Sequence, residues 1–390
     1  MRQSSTQLSF DDILVMAERA SGGFGLADEG LEGRLRWMID WINQRGPYPP
    51  DQVRDMHKQV QDLLANRLRL ALDRSRVPGI AEQEIDRPIF VIGFPRSGTT
   101  LLHSLIAEDQ ECLTLRSWHM YSPSPPPGAG PVVSERIAFA QRRIEEWMDF
   151  CPAQKPMHPY IDKGAQQLIE DEESFTLDFQ NAYVYHLYKV PTLEPMAVPD
   201  TDPVGAFSFH RQLWQHLQWN TGKTRWAGKG PSHQNNLDAL FQVYPDALCV
   251  WAHRPVSQIL PSIASLSVAC YEAVQRRPRD PAEGIRKLAE MLKAGFDRVM
   301  ANALIDDPRV LHLPFKDVAA DPVAAVRKVY DKRGFEVTPE FERRMRAWLG
   351  DPENAVDRYG RYPYGYERLG VTRDEIEDLF KDYSERFGLT

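Results

Sequence analysis

The sequence predicts an α/β fold, a central parallel β-sheet flanked by helices with a helical N-terminal extension. Three observations carry that prediction. Short, mainly apolar runs at Ile89-Phe90-Val91-Ile92, Leu248-Cys249-Val250-Trp251 and Val310-Leu311-His312-Leu313 fit strands buried on both faces of a sheet. Each run precedes a helix-like segment, and strands that alternate with amphipathic helices build parallel sheets. Residues 1–86, by contrast, show only the helical period. The chain therefore divides into a helical extension, 1–86, and an α/β domain, 87–390.

In the extension, Ser9 is placed to cap a helix carrying Ile13, Leu14, Met16 and Ala17. Leu31, Leu35, Met38 and Ile42 mark a second helix. Between Asp51 and Arg76, Val53, Met56, Val60, Leu63, Leu64, Leu68 and Leu72 form one stripe. Nothing there resembles a catalytic cluster, so the extension reads as packing on the main domain or on a partner. Ser122 to Pro131 holds five prolines and must be an extended loop, because each proline lacks a donor and has a fixed φ. Pro191 to Pro203 is a second breaker region, and a last helix is expected over about 373–387.

With 390 residues, 47 Lys+Arg and 55 Asp+Glu, the formal net charge is 47 − 55 = −8. That balance argues against a general nucleic-acid binder, which needs a basic surface. Apolar residues at 42% and charged residues at 26% are ordinary for a globular protein. The four cysteines, at 112, 151, 249 and 270, include no CxxC pair and read as thiols in a reducing compartment. No secretory h-region and no apolar run of membrane-spanning length is evident, so a cytoplasmic protein is expected.

The most informative residues follow the first strand: Gly93-Phe94-Pro95-Arg96-Ser97-Gly98-Thr99-Thr100, then Leu101-Leu102-His103. A glycine-bounded turn from strand to helix aims backbone N–H groups at an anion, which the helix dipole also favours. Gly93, Gly98 and Thr100 have the spacing of the nucleoside-triphosphatase P-loop, so the sheet is P-loop-like. The position of that loop's lysine is Thr99, which removes the usual cation for β- and γ-phosphates. Arg96 supplies a charge within the loop instead.

Pro-Arg-Ser-Gly-Thr-Thr after an apolar strand resembles the 5′-phosphosulfate loop of sulfotransferases that use 3′-phosphoadenosine 5′-phosphosulfate (PAPS). The Arg-containing form is seen in many bacterial members. A second motif supports the resemblance: Arg254 directly after an apolar strand, and Ser262 eight residues on, resemble the family's 3′-phosphate site. A guanidinium fork plus a hydroxyl donor suits a phosphomonoester dianion. Trp118 to Pro127, Arg225 to Pro231 and Val310 to Pro322 are similar to further family segments. Residues 1–86 lie outside the resemblance.

The resemblance implies sulfuryl transfer from PAPS, leaving PAP, to a hydroxyl or amine of a small-molecule or lipid acceptor. It implies donor binding by Arg96, Ser97, Gly98, Thr99, Thr100, Arg254 and Ser262, with Arg361 of the tail loop a weaker addition. Arg96 and Lys229 would stabilise the leaving group. The base is either His158, about sixty residues past the loop, or a carboxylate of Glu170-Asp171-Glu172-Glu173, among which Glu172 is favoured and Glu173 close behind. No histidine shows a metal-ligand spacing, and no metal is assigned. A P-loop small-molecule kinase and a non-catalytic nucleotide-binding protein are the competing readings. The acceptor is not legible, and a homo-oligomer through the helical extension stays open.

Overall fold

A computed structural model of the chain describes residues 6–127, 133–180, 189, 202–360 and 365–389. Strands β1 (Ile89–Ile92), β2 (Cys112–Leu113), β3 (Arg225–Gly230), β4 (Leu248–His253) and β5 (Val310–Pro314) form one sheet in the order β2-β3-β1-β4-β5. Every strand pair is parallel. The three apolar runs are thus β1, β4 and β5. The two-residue β2 carries no periodicity that a sequence could reveal.

Alternation along β1 separates the two layers of core. Phe90 and Ile92 face a large cluster with Trp214, Trp226 and the N-terminal helices. Ile89 and Val91 face the helix Thr99–Ile106 and the helix Pro322–Arg333, through Leu102, Leu105, Val326 and Val329. The sheet is therefore covered on both sides, as its unbroken apolar runs require.

The N-terminal helices are α1 (Phe10–Ala20), α2 (Glu29–Gln44) and α3 (Pro50–Arg76). The Ser9 hydroxyl accepts the Asp12 N–H at 3.2 Å and starts α1. All four apolar positions read for the second helix, Leu31, Leu35, Met38 and Ile42, are buried. These helices share one hydrophobic cluster with β1, β3 and β4. Polar contacts lock the packing: Arg34 Nη2 and Arg67 Nε donate to the two oxygens of Asp178 at 2.6 and 2.8 Å. The amide of Gln52 reaches the Val274 carbonyl at 2.8 Å.

The proline-rich loop is non-helical over its described part, 122–127. The carbonyls of Ser122, Pro123 and Pro125 accept from one buried guanidinium, that of Arg136. The expected last helix is two helices, Arg373–Leu379 and Lys381–Arg386, broken at Phe380. Phe380 is buried against Phe296, their rings 5.3 Å apart, and its ψ of 22° ends the first helix. Among the described residues, no helix is long and apolar enough to cross a membrane.

Asp178→Ala removes the anion that two poorly exposed arginines share. It should destabilise the fold by about 3 kcal/mol, because uncompensated charges remain buried. The midpoint of chemical denaturation measures this directly.

Candidate active site

The sheet brings the carboxyl ends of β3, β1 and β4 side by side, with Ile92 registered against Gly230 on one flank and Trp251 on the other. The strand order changes direction here, since β1 leads by way of α4 (Thr99–Ile106) to one edge while β4 and β5 build the other. Such a switch point at the carboxyl ends is where open α/β sheets bind ligands.

The loop after β1 has the expected strand-to-helix form. Gly93 has φ of 124°, and a Cβ on it would overlap the Ala252 carbonyl oxygen of β4. Gly98, with φ of 94°, is the N-cap of α4. Arg96 also lies in the left-handed region, at φ of 72°, a conformation that non-glycine residues hold at some cost and mostly at functional turns. Ser97 and Thr99 are buried, and the Ser97 hydroxyl donates to the Phe94 carbonyl at 2.6 Å. The first turn of α4 thus presents its N–H groups at the end of the loop.

Lys229 comes from the adjacent strand and is 4% exposed. Its Nζ donates to Glu170 Oε1 at 3.1 Å and to Thr100 Oγ1 at 3.4 Å. Arg96 Nη1 donates to the carbonyl of Met157 at 3.2 Å, which draws the His158 segment to the loop. Burial first, then Lys229 and Arg96, push the His158 imidazole down to about 4 against the pull of Glu170. Arg96, Thr100, His158, Glu170 and Lys229 therefore form one electrostatic cluster.

The fold sends the members of the acidic run in different directions. Glu170 is the extended N-cap of a 3₁₀ turn, Asp171–Asp178, and meets Lys229. Glu172, the favoured carboxylate, is completely buried. It accepts the Ser232 N–H and lies 3.7 Å from His233 Nδ1. Burial lifts Glu172 to about 7 and, together with Glu170, lifts Glu173 to about 8. Glu170, not the favoured Glu172, is the member of the run that meets Lys229, and the sequence signal for this is weak: it is the first member of the run, where a cap leaves the helical face.

Arg254, immediately after β4, closes the other side. Its Nη1 donates to the Arg96 carbonyl at 2.9 Å and its Nε to Gln258 Oε1 at 3.1 Å, with the guanidinium 4.6 Å from the Phe315 ring centroid. Burial, then Arg96, lowers its pKa. Ser262 is buried in the second turn of the following helix, Val256–Gln275. In the tail loop, Arg358 is committed to Asp162 and the Pro159 carbonyl, while Arg361 lies outside the described residues. Among the described residues, no group of three His, Cys, Asp or Glu side chains could hold a metal ion. The donor set of helix N–H groups, hydroxyls, two arginines and a lysine fits a ligand with separate phosphate-type anions.

Comparison with known proteins bears on the fold and the family. The profile of the family described as "Sulfotransferase family" matches residues 88–339. The omega-hydroxy-beta-dihydromenaquinone-9 sulfotransferases Stf3 of Mycobacterium bovis and Mycobacterium tuberculosis are each 23% identical over 319 residues, covering 78% of this chain and 77% of the relative. Among solved structures, the sulfotransferase STF9 of Mycobacterium avium superposes with a TM-score of 0.82 over 99% of this chain and 98% of that one, at 23% identity. STF1 of Mycobacterium tuberculosis gives 0.77 over 97% and 99%, also at 23% identity.

The raised Glu173 yields a test of the site's electrostatics. The folded carboxyl keeps a proton to about 8 while its ordinary value is 4.5. The linked stability is full below 4.5 and is lost as pH rises through about 8. Glu173→Gln cannot lose that proton. The fall in thermal midpoint between about pH 6 and about pH 8.5 should therefore shrink in the variant, and an undiminished fall means that the carboxyl is already ionised.

Proposed function

The chain belongs to the sulfotransferase family, and we propose that it transfers the sulfuryl group of PAPS to the hydroxyl of an apolar, lipid-type acceptor. The observation that carries the donor assignment is the hydrogen bond from Arg254 to the Arg96 carbonyl, which joins the two anion sites across the ends of β1 and β4. The loop N–H groups, Arg96, Ser97, Gly98, Thr99 and Thr100 would receive the 5′ end. Arg254 and Ser262 would receive the 3′-phosphate. The acceptor class is suggested by the relatives named for a hydroxylated menaquinone derivative.

In this reading Lys229 and Arg96 neutralise charge that builds on the leaving phosphate, the term that dominates group transfers of this type. Glu170 holds the Lys229 ammonium in place until the anion competes for it. His158, neutral at pH 7 because its surroundings are cationic and dry, has a lone pair for the acceptor proton. Held neutral, it adds no charge of its own to the cluster. PAPS, when bound, would supply the activated sulfuryl group; beyond removal of the acceptor proton, what remains for the protein is positioning and electrostatics. The missing loop lysine at Thr99 weighs against a triphosphate as the donor.

PAP at about 100 times its dissociation constant should stabilise the wild-type protein by about 2.7 kcal/mol, and Arg254→Ala should abolish the effect. Stabilisation by ATP with Mg²⁺ alone would instead identify a kinase. For the base, kcat should hold down to low pH, its acid limb falling with His158 near 4, and His158→Gln should lower kcat by about 10²–10⁴-fold. A wild-type kcat in that variant, with loss in Glu170→Gln, would assign the proton to the carboxylate.

A further inference from the structure

The end of β4 carries a hydrogen-bonded chain that the transfer chemistry does not use. β4 finishes at His253, a buried ring with centroids of Phe387, Trp251 and His312 at 3.9, 4.9 and 5.0 Å. His253 Nδ1 meets the Tyr383 hydroxyl at 2.8 Å, and its Nε2 meets His312 Nδ1 at 2.8 Å. His312 Nε2 in turn meets the carbonyl oxygen of Ile305 at 2.8 Å.

These contacts have one consistent direction. A carbonyl only accepts, so His312 carries its proton on Nε2 and accepts at Nδ1. His253 then donates from Nε2, and its Nδ1 accepts from Tyr383. His253, the ring that Tyr383 holds, is the residue directly before Arg254. Burial pushes both histidines below their ordinary value, which keeps both rings neutral as the chain requires. The charged groups facing it are Arg254 on one side and, beside His312, Asp306 and Arg386, themselves paired at 2.9 Å.

We propose that Tyr383 is a positioning residue for the donor. By holding the ring of His253, the residue directly before Arg254, it sets the direction in which the Arg254 guanidinium leaves the end of β4. A second grip acts on the same element. Pro261, inside the helix Val256–Gln275, has no N–H to offer the Ser257 carbonyl, and the Tyr366 hydroxyl donates to that carbonyl at 2.7 Å. The Ser257 hydroxyl donates to Glu377 Oε1 at 3.0 Å. Residues 365–389 thus brace both the end of β4 that leads into Arg254 and the helix that carries Ser262. The inference rests on the reading above that Arg254 receives the 3′-phosphate.

The test is a double-mutant cycle read with two nucleotides by calorimetry, PAP and adenosine 5′-phosphate, which lacks the 3′-phosphate. Tyr383→Phe should weaken PAP about tenfold and change adenosine 5′-phosphate less than about twofold, since a misdirected guanidinium harms only the ligand it binds. In the Arg254→Ala background the same substitution should change PAP affinity by less than about twofold. His312→Leu, which removes the next acceptor, should show the same selectivity at about threefold, and it decides the matter if Tyr383→Phe melts early. Equal losses for both nucleotides, or losses additive with Arg254→Ala, overturn the positioning role. PAP binding in the wild type that ignores Arg254→Ala overturns the underlying site assignment instead, whatever Tyr383→Phe does.

Discussion

A carboxylate buried in an aromatic core organises this molecule. Asp171 has no exposed surface, and it lies among Phe90, Phe175, Trp214 and Tyr244 by way of the two histidines that bind it. His233 Nε2 reaches one oxygen at 2.9 Å and His210 Nε2 approaches the other at 3.5 Å, while His210 Nδ1 meets the Tyr244 hydroxyl at 2.8 Å. Burial alone would lift the Asp171 carboxyl, but His233 and His210 hold it well below the ordinary range. Gly228 of β3 is glycine because a Cβ would overlap Asp171 Oδ2. A charge is tolerated there only while these partners persist, so the 3₁₀ turn, the helix Pro203–Gln218 and β3 are held in one geometry. Glu170 is the residue before that anchor, and its position beside Lys229 follows from it.

The same constraint explains how a chain of net charge −8 concentrates cations at one point. Arg96, Lys229 and Arg254 come from three adjacent strand ends, and backbone carbonyls or Glu170 take their hydrogen bonds. Lys229 is thereby buried and Arg254 half-buried, while Arg96 stays exposed, without a tight, permanent salt bridge at every site. The cost of grouping like charges is met by carbonyl dipoles and the single carboxylate. Burial, reinforced by that field, keeps the His158 imidazole neutral.

The two ends of the chain serve this geometry from opposite sides. α2 and α3 are pinned to Asp178, the last residue of the 3₁₀ turn. The C-terminal helices pack on β4 and β5 through Phe387 and Tyr383. An enzyme that works by positioning gains from such bracing, because small displacements of charged groups degrade group transfer.

The sequence by itself determined the central strands of the sheet and the glycine-bounded loop. Its apolar runs were β1, β4 and β5, and the Gly93-to-Thr100 turn and Arg254 need only local geometry to be recognised, because strand ends in a parallel sheet point one way. The helical stripe of the first 86 residues was equally legible, but not that it would merge with the sheet's core, since a stripe does not name what it packs against. Tertiary structure alone decided that Glu170 meets Lys229 while Glu172 turns to Ser232 and His233. Those contacts join residues about sixty positions apart, and the 3₁₀ turn that sets them is imposed by Asp171's buried partners. It likewise decided that Tyr383 reaches His253, beside Arg254. Local pattern specifies which elements form and which groups wait at their ends; which carboxylate faces which cation depends on long-range burial, to which sequence spacing is blind.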